Sequence, residues 1–147
     1  HIDDQLEAMR NEIEGPPNLD LTIIHLKRLG SKIHAGFLFE TNAIPLLKQI
    51  CLLISATPTG PLHSGWQEFG AQLGITREQL QCIEYDFKGL QDPTYYVLLT
   101  FIQGFDASIE KIVEALENMK RLDIINRISK SLVEFLNTLT SNITESD

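Results

Sequence analysis

Cysteine and histidine are the residues of this sequence whose side chains could do the most chemistry. A thiolate beside an imidazole could act as a nucleophile, and the two groups together could ligate zinc. No C-x-x-C or H-E-x-x-H pair occurs, and Cys51 and Cys82 both lie among apolar residues on predicted helices. The histidines are scattered along the chain, at His1, His25, His34 and His63. We therefore expect two buried thiols in a reducing compartment, no metal ion and no cofactor.

Glutamates at helical spacing are the second candidate, because paired carboxylates can serve as general acid and base. Glu110, Glu114 and Glu117 would share a helix face with Arg121. Charges opposite an apolar stripe more often form the hydrated side of a helix, and we assign them to that side. No glycine-rich phosphate loop and no G-x-S-x-G motif occurs. We predict that the protein is not an enzyme, with a small helical enzyme whose site lies between helices as the alternative.

The composition indicates one domain and excludes two classes of partner. The chain has 147 residues, 43% of them hydrophobic, which is enough for one core. Its net charge of −8 comes without a basic stripe interleaved with aromatic residues, so we predict no nucleic-acid binding. No apolar run reaches the roughly 18 residues of a membrane span, so we predict no membrane insertion. The chain starts at His1 without a leader sequence, so we expect a piece of a longer protein.

Apolar residues recur at helical spacing in six segments between residues 42 and 139, separated by short stretches rich in Gly, Pro and Asp. Thr76 and Gln79 have the spacing of a capping box, and Asp92 precedes a first-turn proline. Trp66, one turn before a phenylalanine, is assigned to the core. Six short helices with short connections predict an all-α fold, an antiparallel six-helix bundle.

The chain before this bundle is predicted to form a partly helical N-terminal extension, residues 1–41. Leu6, Met9 and Ile13 give residues 3–14 a thin apolar stripe, which ends at the glycine and prolines that follow. The bundle itself is assigned to residues 42–140. The small, polar residues 141–147 are predicted to form a flexible tail.

The second half of the extension fits two kinds of secondary structure. Leu19, Leu21 and Ile23 alternate as in a strand, whereas other apolar residues of this stretch fit a helix. We predict a helix over 20–29. Residues 21–39 are too apolar for a free linker, so we expect them to pack on the bundle or to complete a partner surface.

Short motifs between residues 42 and 138 resemble those of the death domains of the myeloid differentiation primary-response adaptor family. After a short helix led by Trp66, the motifs follow in the family's order: Asp92-Pro93-Thr94, Leu98-Leu99, Gln103-Gly104 and Ala107-Ser108. Ile102 stands where that family has Trp, and this divergence indicates an invertebrate member. Adaptors of this family couple Toll and interleukin-type receptors to downstream kinases.

The resemblance implies a six-helix death-fold bundle that works in the cytoplasm as a signalling adaptor. The partners it implies are the death domains of a Tube-like adaptor and of a Pelle-like kinase, and a second copy of this chain. The resemblance implies neither catalytic residues nor a cofactor. A death domain from the Tube or Pelle side of the same complex is the alternative within this class.

The charged side chains predict which surfaces would dock such partners. Acids outnumber cations on the second to fourth predicted helices of the bundle, whereas cations gather around the last two helices. Unlike patches attract, so such bundles could chain head to tail. The first group of candidates consists of Glu68, Arg77, Glu78, Glu84, Asp86 and Asp92. The second group consists of Lys120, Arg121, Asp123 and Arg127.

Two aromatic residues complete the predicted partner surface. Tyr95 and Tyr96 are adjacent, and neighbouring residues on a helix point about 100° apart, so at most one ring can face the core comfortably. The other ring is a candidate contact residue. For each charged candidate, the alternative is a solvated side chain with no directional role.

Overall fold

The structure is a computed structural model that describes residues 19–56, 65–86 and 92–146, with side chains as far as residue 141. The α-helices in these ranges are α1 (Leu19–Gly30), α2 (Ile44–Ser55), α3 (Gly65–Gln72), α4 (Arg77–Asp86), α5 (Pro93–Phe101), α6 (Ile109–Asn118) and α7 (Leu122–Ser146). Two 3-10 helices, Ala35–Phe39 and Thr41–Ala43, connect α1 to α2. The described ranges contain no β-strand, so the predicted all-α fold is confirmed, with α2 to α7 as its six helices.

Short-range capping signals set the starts of α4 and α5. Before α4, the N–H of Gln79 donates to Oγ1 of Thr76 at 3.2 Å, and the N–H of Thr76 donates to Oε1 of Gln79 at 3.0 Å. This reciprocal pair is the predicted capping box. Before α5, the Asp92 side chain accepts a hydrogen bond from the N–H of Thr94, and Pro93 occupies the first turn. Both helices therefore begin where the sequence places them.

The hydrophobic core is built from buried residues of all seven described α-helices. α2 contacts α3, α5 and α7. The buried face of α7 consists of Ile124, Ile125, Ile128, Leu132 and Leu136. Phe69 of α3 is fully buried, whereas Trp66, which the sequence assigns to the core, is only half-buried and packs at its edge.

Helix α1 lies in the seam between α6 and α7 and shares their core. Its buried face is formed by Leu19, Ile23, Leu26 and Gly30. This confirms the helical interpretation of the ambiguous stretch and the expectation that it packs on the bundle. The core is continuous from α1 to α7. The proposed domain boundary at residue 41 stays a prediction.

Backbone hydrogen bonds join the chain after α1 to the loop before α6. The N–H of Ala35 donates to the carbonyl oxygen of Ala107 at 2.7 Å, and the N–H of Ile109 donates to that of Ile33 at 3.0 Å. Together they form an isolated antiparallel bridge centred on His34 and Ser108. The segment that follows α1 is therefore tied to the bundle by main-chain bonds as well as by apolar packing.

Three sequence predictions end differently or fall outside the described ranges. α7 continues to Ser146, past residue 139 where the last predicted apolar segment ends, because no Gly or Pro interrupts the chain there. The flexibility predicted for residues 141–147 stays a prediction. The stripe predicted for residues 3–14 lies outside the described ranges.

In the part of the chain that is described, no helix combines the length and the apolar character that crossing a membrane requires.

We predict that replacing Gly30 by alanine lowers the free energy of unfolding by about 1–3 kcal/mol, as overpacking does in other cores. A Cβ atom at this position would lie 2.9 Å from the backbone nitrogen of Glu110 and 3.1 Å from Cβ of Ile109. Backbone atoms cannot rotate away, so α1 would have to shift in its seam. Urea unfolding followed by circular dichroism measures the loss.

Gly70→Ala is the matched control. There the added Cβ would lie 2.6 Å from Cδ2 of Leu80, the end of a flexible side chain that can rotate away. Alanine also gains about 1 kcal/mol over glycine inside a helix, so this variant should stay close to the original stability. Equal losses at both positions would show that the close approach of α1 to α6 is not what matters.

Candidate functional site

Three of the charged candidates on α3 and α4 line an open groove between these two helices. The groove has a volume of about 700 Å³, and Glu68, Arg77 and Glu84 lie along it beside three glutamines. The amide nitrogen Nε2 of Gln67 donates to Oε2 of Glu84 at 3.4 Å across the helices. Neither glutamate is in an ion pair with another residue that the structure describes. We call Glu68, Arg77 and Glu84 the acidic groove, a shape and charge that suit a protruding cationic side chain.

Two other acidic candidates lie on α4 outside this groove. Glu78 and Asp86 are exposed, and neither lines the groove. The buried side of α4 is provided by Leu80 and Ile83. Glu78 and Asp86 therefore add negative potential around α4 without belonging to the groove.

Asp92 has a structural task that limits its role on the surface. Its Oδ1 atom accepts a hydrogen bond from the N–H of Thr94 at 2.8 Å and another from the hydroxyl of Ser55 at the end of α2. Because Ser55 donates its proton to Asp92, the buried Thr94 hydroxyl donates to Ser55 Oγ, at 2.8 Å. The carboxylate thus joins the end of α2 to the start of α5.

The two adjacent tyrosines are both half-buried, rather than one buried and one exposed. The ring of Tyr95 packs against Phe39 with centroids 5.5 Å apart, and it meets the ring of Tyr96 edge to face at the same distance. Tyr95 also lines a mainly apolar groove of about 470 Å³ together with Leu52 and Asp92. Each tyrosine therefore has one side on the core and one side toward solvent.

The cations of the last two helices gather at the turn between α6 and α7. Arg121 donates to both carboxylate oxygens of Asp123, from Nε at 3.0 Å and from a terminal nitrogen at 2.9 Å. This bidentate pair raises the pKa of Arg121 and lowers the pKa of Asp123. Lys120 and Arg127 are exposed beside it. We call Lys120, Arg121, Asp123 and Arg127 the basic turn.

The backbone of the basic turn holds Lys120 in an unusual conformation. Its φ angle is +62°, in the left-handed region that favours glycine. The N–H of Lys120 donates to the carbonyl oxygen of Glu117, and the N–H of Arg121 donates to that of Leu116, both at 2.9 Å. This is a Schellman motif that ends α6. A lysine here costs about 1–2 kcal/mol relative to right-handed backbone.

The two cysteines first considered for catalysis differ in their exposure. Burial, with a smaller effect from Asp92, raises the pKa of the Cys51 thiol to about 12, so it stays protonated at neutral pH. Cys82, predicted to be buried, is exposed, because only Leu80 and Ile83 of α4 face the core. No group of three or more potential metal ligands exists among the described residues, which leave out His1 and His63.

The glutamates of α6 face α1 and are not simply hydrated. Oε1 of Glu117 lies 2.8 Å from Nζ of Lys27, and this hydrogen bond is the main reason why the pKa of Lys27 is raised. The charges of Glu114 and Glu110 raise the pKa of Lys27 further. All three glutamates are half-buried, so the predicted hydrated side of α6 is instead the polar border of its contact with α1.

Several exposed apolar side chains were not predicted as contact residues. Phe105, in the loop after α5, is 96% exposed, Tyr85 is 78% exposed and Leu52 is 66% exposed. Tyr85 stands between two of the acidic candidates on α4. The spacing of apolar residues on α4 predicts that Tyr85 points away from the side of Leu80 and Ile83. No sequence signal predicts the exposure of Phe105.

The described helices enclose a filled core and carry open grooves on their surface. The family model of the death domain matches residues 47–132, more than half of the sequence. The chain therefore belongs to the death domain family, whose members are interaction modules that bind other death domains. Neither a curated protein nor a solved structure matches the chain.

We predict that the two cysteines differ strongly in their rates of alkylation. At pH 8 the Cys51 thiol, whose ordinary pKa of 9.0 is raised to about 12, has roughly a thousandfold less thiolate than a thiol at the ordinary value. Iodoacetamide should therefore modify Cys82 first, as peptide mass spectrometry would show. Labelling in denaturant, where both thiols react alike, is the control, and similar rates in the folded chain would contradict the burial of Cys51.

Proposed function

We propose that this chain is the death domain of a Toll-pathway adaptor of the myeloid differentiation primary-response family, from an invertebrate. In this proposal it acts in the cytoplasm and assembles a signalling complex by binding the death domains of a Tube-like adaptor and a Pelle-like kinase, and a second copy of itself. Support comes from the family match over 47–132 and from the motifs that resemble this adaptor family.

The observation that carries the proposal is the acidic groove. Glu68 and Glu84 reach it from different helices and are not neutralised by an ion pair with another described residue, so the groove keeps a local excess of negative charge. A lysine or arginine on the partner would meet this negative charge in the groove. The groove is open, which suits docking to a convex protein surface better than enclosure of a small molecule.

The basic turn supplies the complementary surface. Lys120 and Arg127 are exposed there, and the bidentate pair with Asp123 fixes the guanidinium of Arg121. We propose that the acidic groove of one domain binds the basic turn of the next. Glu78, Asp86, Tyr95 and Tyr96 are proposed to border these contacts, whereas Asp92 contributes chiefly by holding the start of α5.

We predict a discrete complex when this chain is mixed with Tube-like and Pelle-like death domains. Contacts between exposed charges are screened as the Debye length falls from roughly 14 to 4 Å between about 50 and 500 mM salt, so the complex should weaken at the higher salt. Light scattering after gel filtration at both salt concentrations measures this. If the chain stays a monomer with every partner, the Toll assignment is wrong. If it binds only death domains of the myeloid differentiation primary-response family, the chain is a death domain from the Tube or Pelle side.

Charge reversals locate the surfaces within this complex. Glu84→Lys should weaken binding by about tenfold or more, about 1.4 kcal/mol, because it places a cation in the groove. Glu40→Lys, which changes the net charge equally at an exposed site away from the groove, should bind normally. Equal losses in the two variants would mean that only overall charge matters.

Lys120→Gly tests the basic turn without endangering the fold. Glycine suits the positive φ of this position, so the variant should be at least as stable as the original chain. Loss of binding by a more stable protein would identify the lysine charge as a contact. Unchanged binding by Lys120→Gly and by Arg127→Ala would remove the basic turn from the proposal.

A further inference from the structure

The face of α1 that points away from the bundle carries an apolar row. Leu21 and Ile24 are 70% and 52% exposed, and Arg28 is exposed one turn further on. Their i, i+3, i+7 spacing puts the three side chains on one side of the helix. That side is opposite the buried face of α1, which packs on α6 and α7. We call Leu21, Ile24 and Arg28 the outer row of α1, and no described residue covers it.

The charges around the outer row specify what could bind it. The last turn of α1 contains Lys27 and Arg28, and exposed Lys32 follows. Lys27 is engaged with Glu117, which leaves Arg28 and Lys32 as the cations beside the row. A fitting occupant is an amphipathic helix whose apolar stripe lies on Leu21 and Ile24 and whose acidic end meets these two cations.

Residues 3–14 of this chain have that composition. Leu6, Met9 and Ile13 have the same i, i+3, i+7 spacing as the outer row. The segment contains five acids and one arginine, and Asp3, Asp4 and Glu7 belong to its first half. It is 12 residues long, the same length as α1. Its apolar stripe therefore matches that of the outer row, and its acidic first half is complementary to Arg28 and Lys32.

The connection between the two stretches sets their relative direction. Only residues 15–18, Gly-Pro-Pro-Asn, separate the segment from the first residue of α1. Two helices joined by so short a connection pack as antiparallel neighbours. Counting outward from this connection places Met9 opposite Ile24 and the acidic start of the segment beside Arg28.

We propose that residues 3–14 bind as a helix, antiparallel to α1, along its outer row. Leu6, Met9 and Ile13 would cover Leu21 and Ile24, and the acidic residues would pair with Arg28 and Lys32. The extension is then a helical hairpin whose inner helix is part of the core and whose outer helix shields an apolar strip.

A disulfide between engineered cysteines tests the pairing. Met9→Cys and Ile24→Cys are introduced together with Cys82→Ser, while buried Cys51 is kept. Oxidation at micromolar protein concentration should yield a monomer with an internal disulfide, identified by non-reducing electrophoresis and peptide mass spectrometry. Thermal unfolding of the reduced variant checks that the fold is intact, since Ile24 is an exposed position.

Asn11→Cys with Ile24→Cys, in the same background, is the matched control. Asn11 lies on the opposite side of the predicted helix from Met9, so its disulfide should form at least about tenfold more slowly if the segment is docked. A free tether would give the two pairs similar rates and would overturn the proposal. A disulfide-linked dimer in place of the internal disulfide would also overturn it, because the outer row would then bind a second copy.

A charge swap tests the predicted direction of the docked helix. Arg28→Glu should slow formation of the disulfide between the cysteines introduced at positions 9 and 24, because the acidic start of the segment would then face a like charge. Adding Glu7→Arg should restore the rate. An unchanged rate in Arg28→Glu, or failure of the second change to restore it, would contradict the antiparallel register.

Discussion

The rest of the structure depends on the packing of α1 into the seam between α6 and α7. Leu26 is completely buried there, and full burial of one such side chain contributes about 1.5–3 kcal/mol. Gly30 permits the close approach, because a Cβ would lie only 2.9 Å from the backbone of α6. The region matched by the death domain family begins at residue 47, and buried residues of α1 and of the 3-10 helix Ala35–Phe39 before it belong to the same core. Residues 19–46, as far as the structure describes this part of the chain, are thus packed with the helices that follow them.

The same packing fixes the loop before α6. Nδ1 of His34 accepts a hydrogen bond from the N–H of Gly36, so Nε2 carries the proton and donates to the carbonyl oxygen of Gly104 at 2.7 Å. This bond and the main-chain bonds between residues 33–35 and 107–109 hold the loop that displays Phe105. An exposed aromatic on a fixed loop loses little conformational freedom on binding.

The features that could be predicted from the sequence are those decided by near neighbours in the chain. The capping box at Thr76, the cap at Asp92 and the apolar stripes each depend on residues within one or two turns. The exposure of Cys82 and the half-burial of Trp66 depend on which helices pack side by side, and the local pattern does not contain that information. The groove illustrates the same limit: charge predicted six candidates, and packing brought Glu68, Arg77 and Glu84 together.

Several charged residues are engaged in holding the fold, which narrows the surfaces left for docking. Asp92 joins two helices, Glu117 pairs with Lys27, and the other glutamates of α6 border α1. The net charge of −8 is therefore not spread evenly over the accessible surface. The carboxylates of the acidic groove supply part of the negative charge that a partner would contact.

In the proposed function, the acidic groove and the basic turn lie on different helices, so binding at one leaves the other available. A contact between unlike surfaces of successive domains is heterologous, so domains can add one after another until the assembly closes into a ring or cannot extend further. Each exposed ion pair contributes little, so a domain held by a single neighbour would dissociate readily. A domain held by several neighbours gains from their combined effect. Assembly would then respond steeply to the local concentration of death domains, which is the behaviour expected of a signalling adaptor.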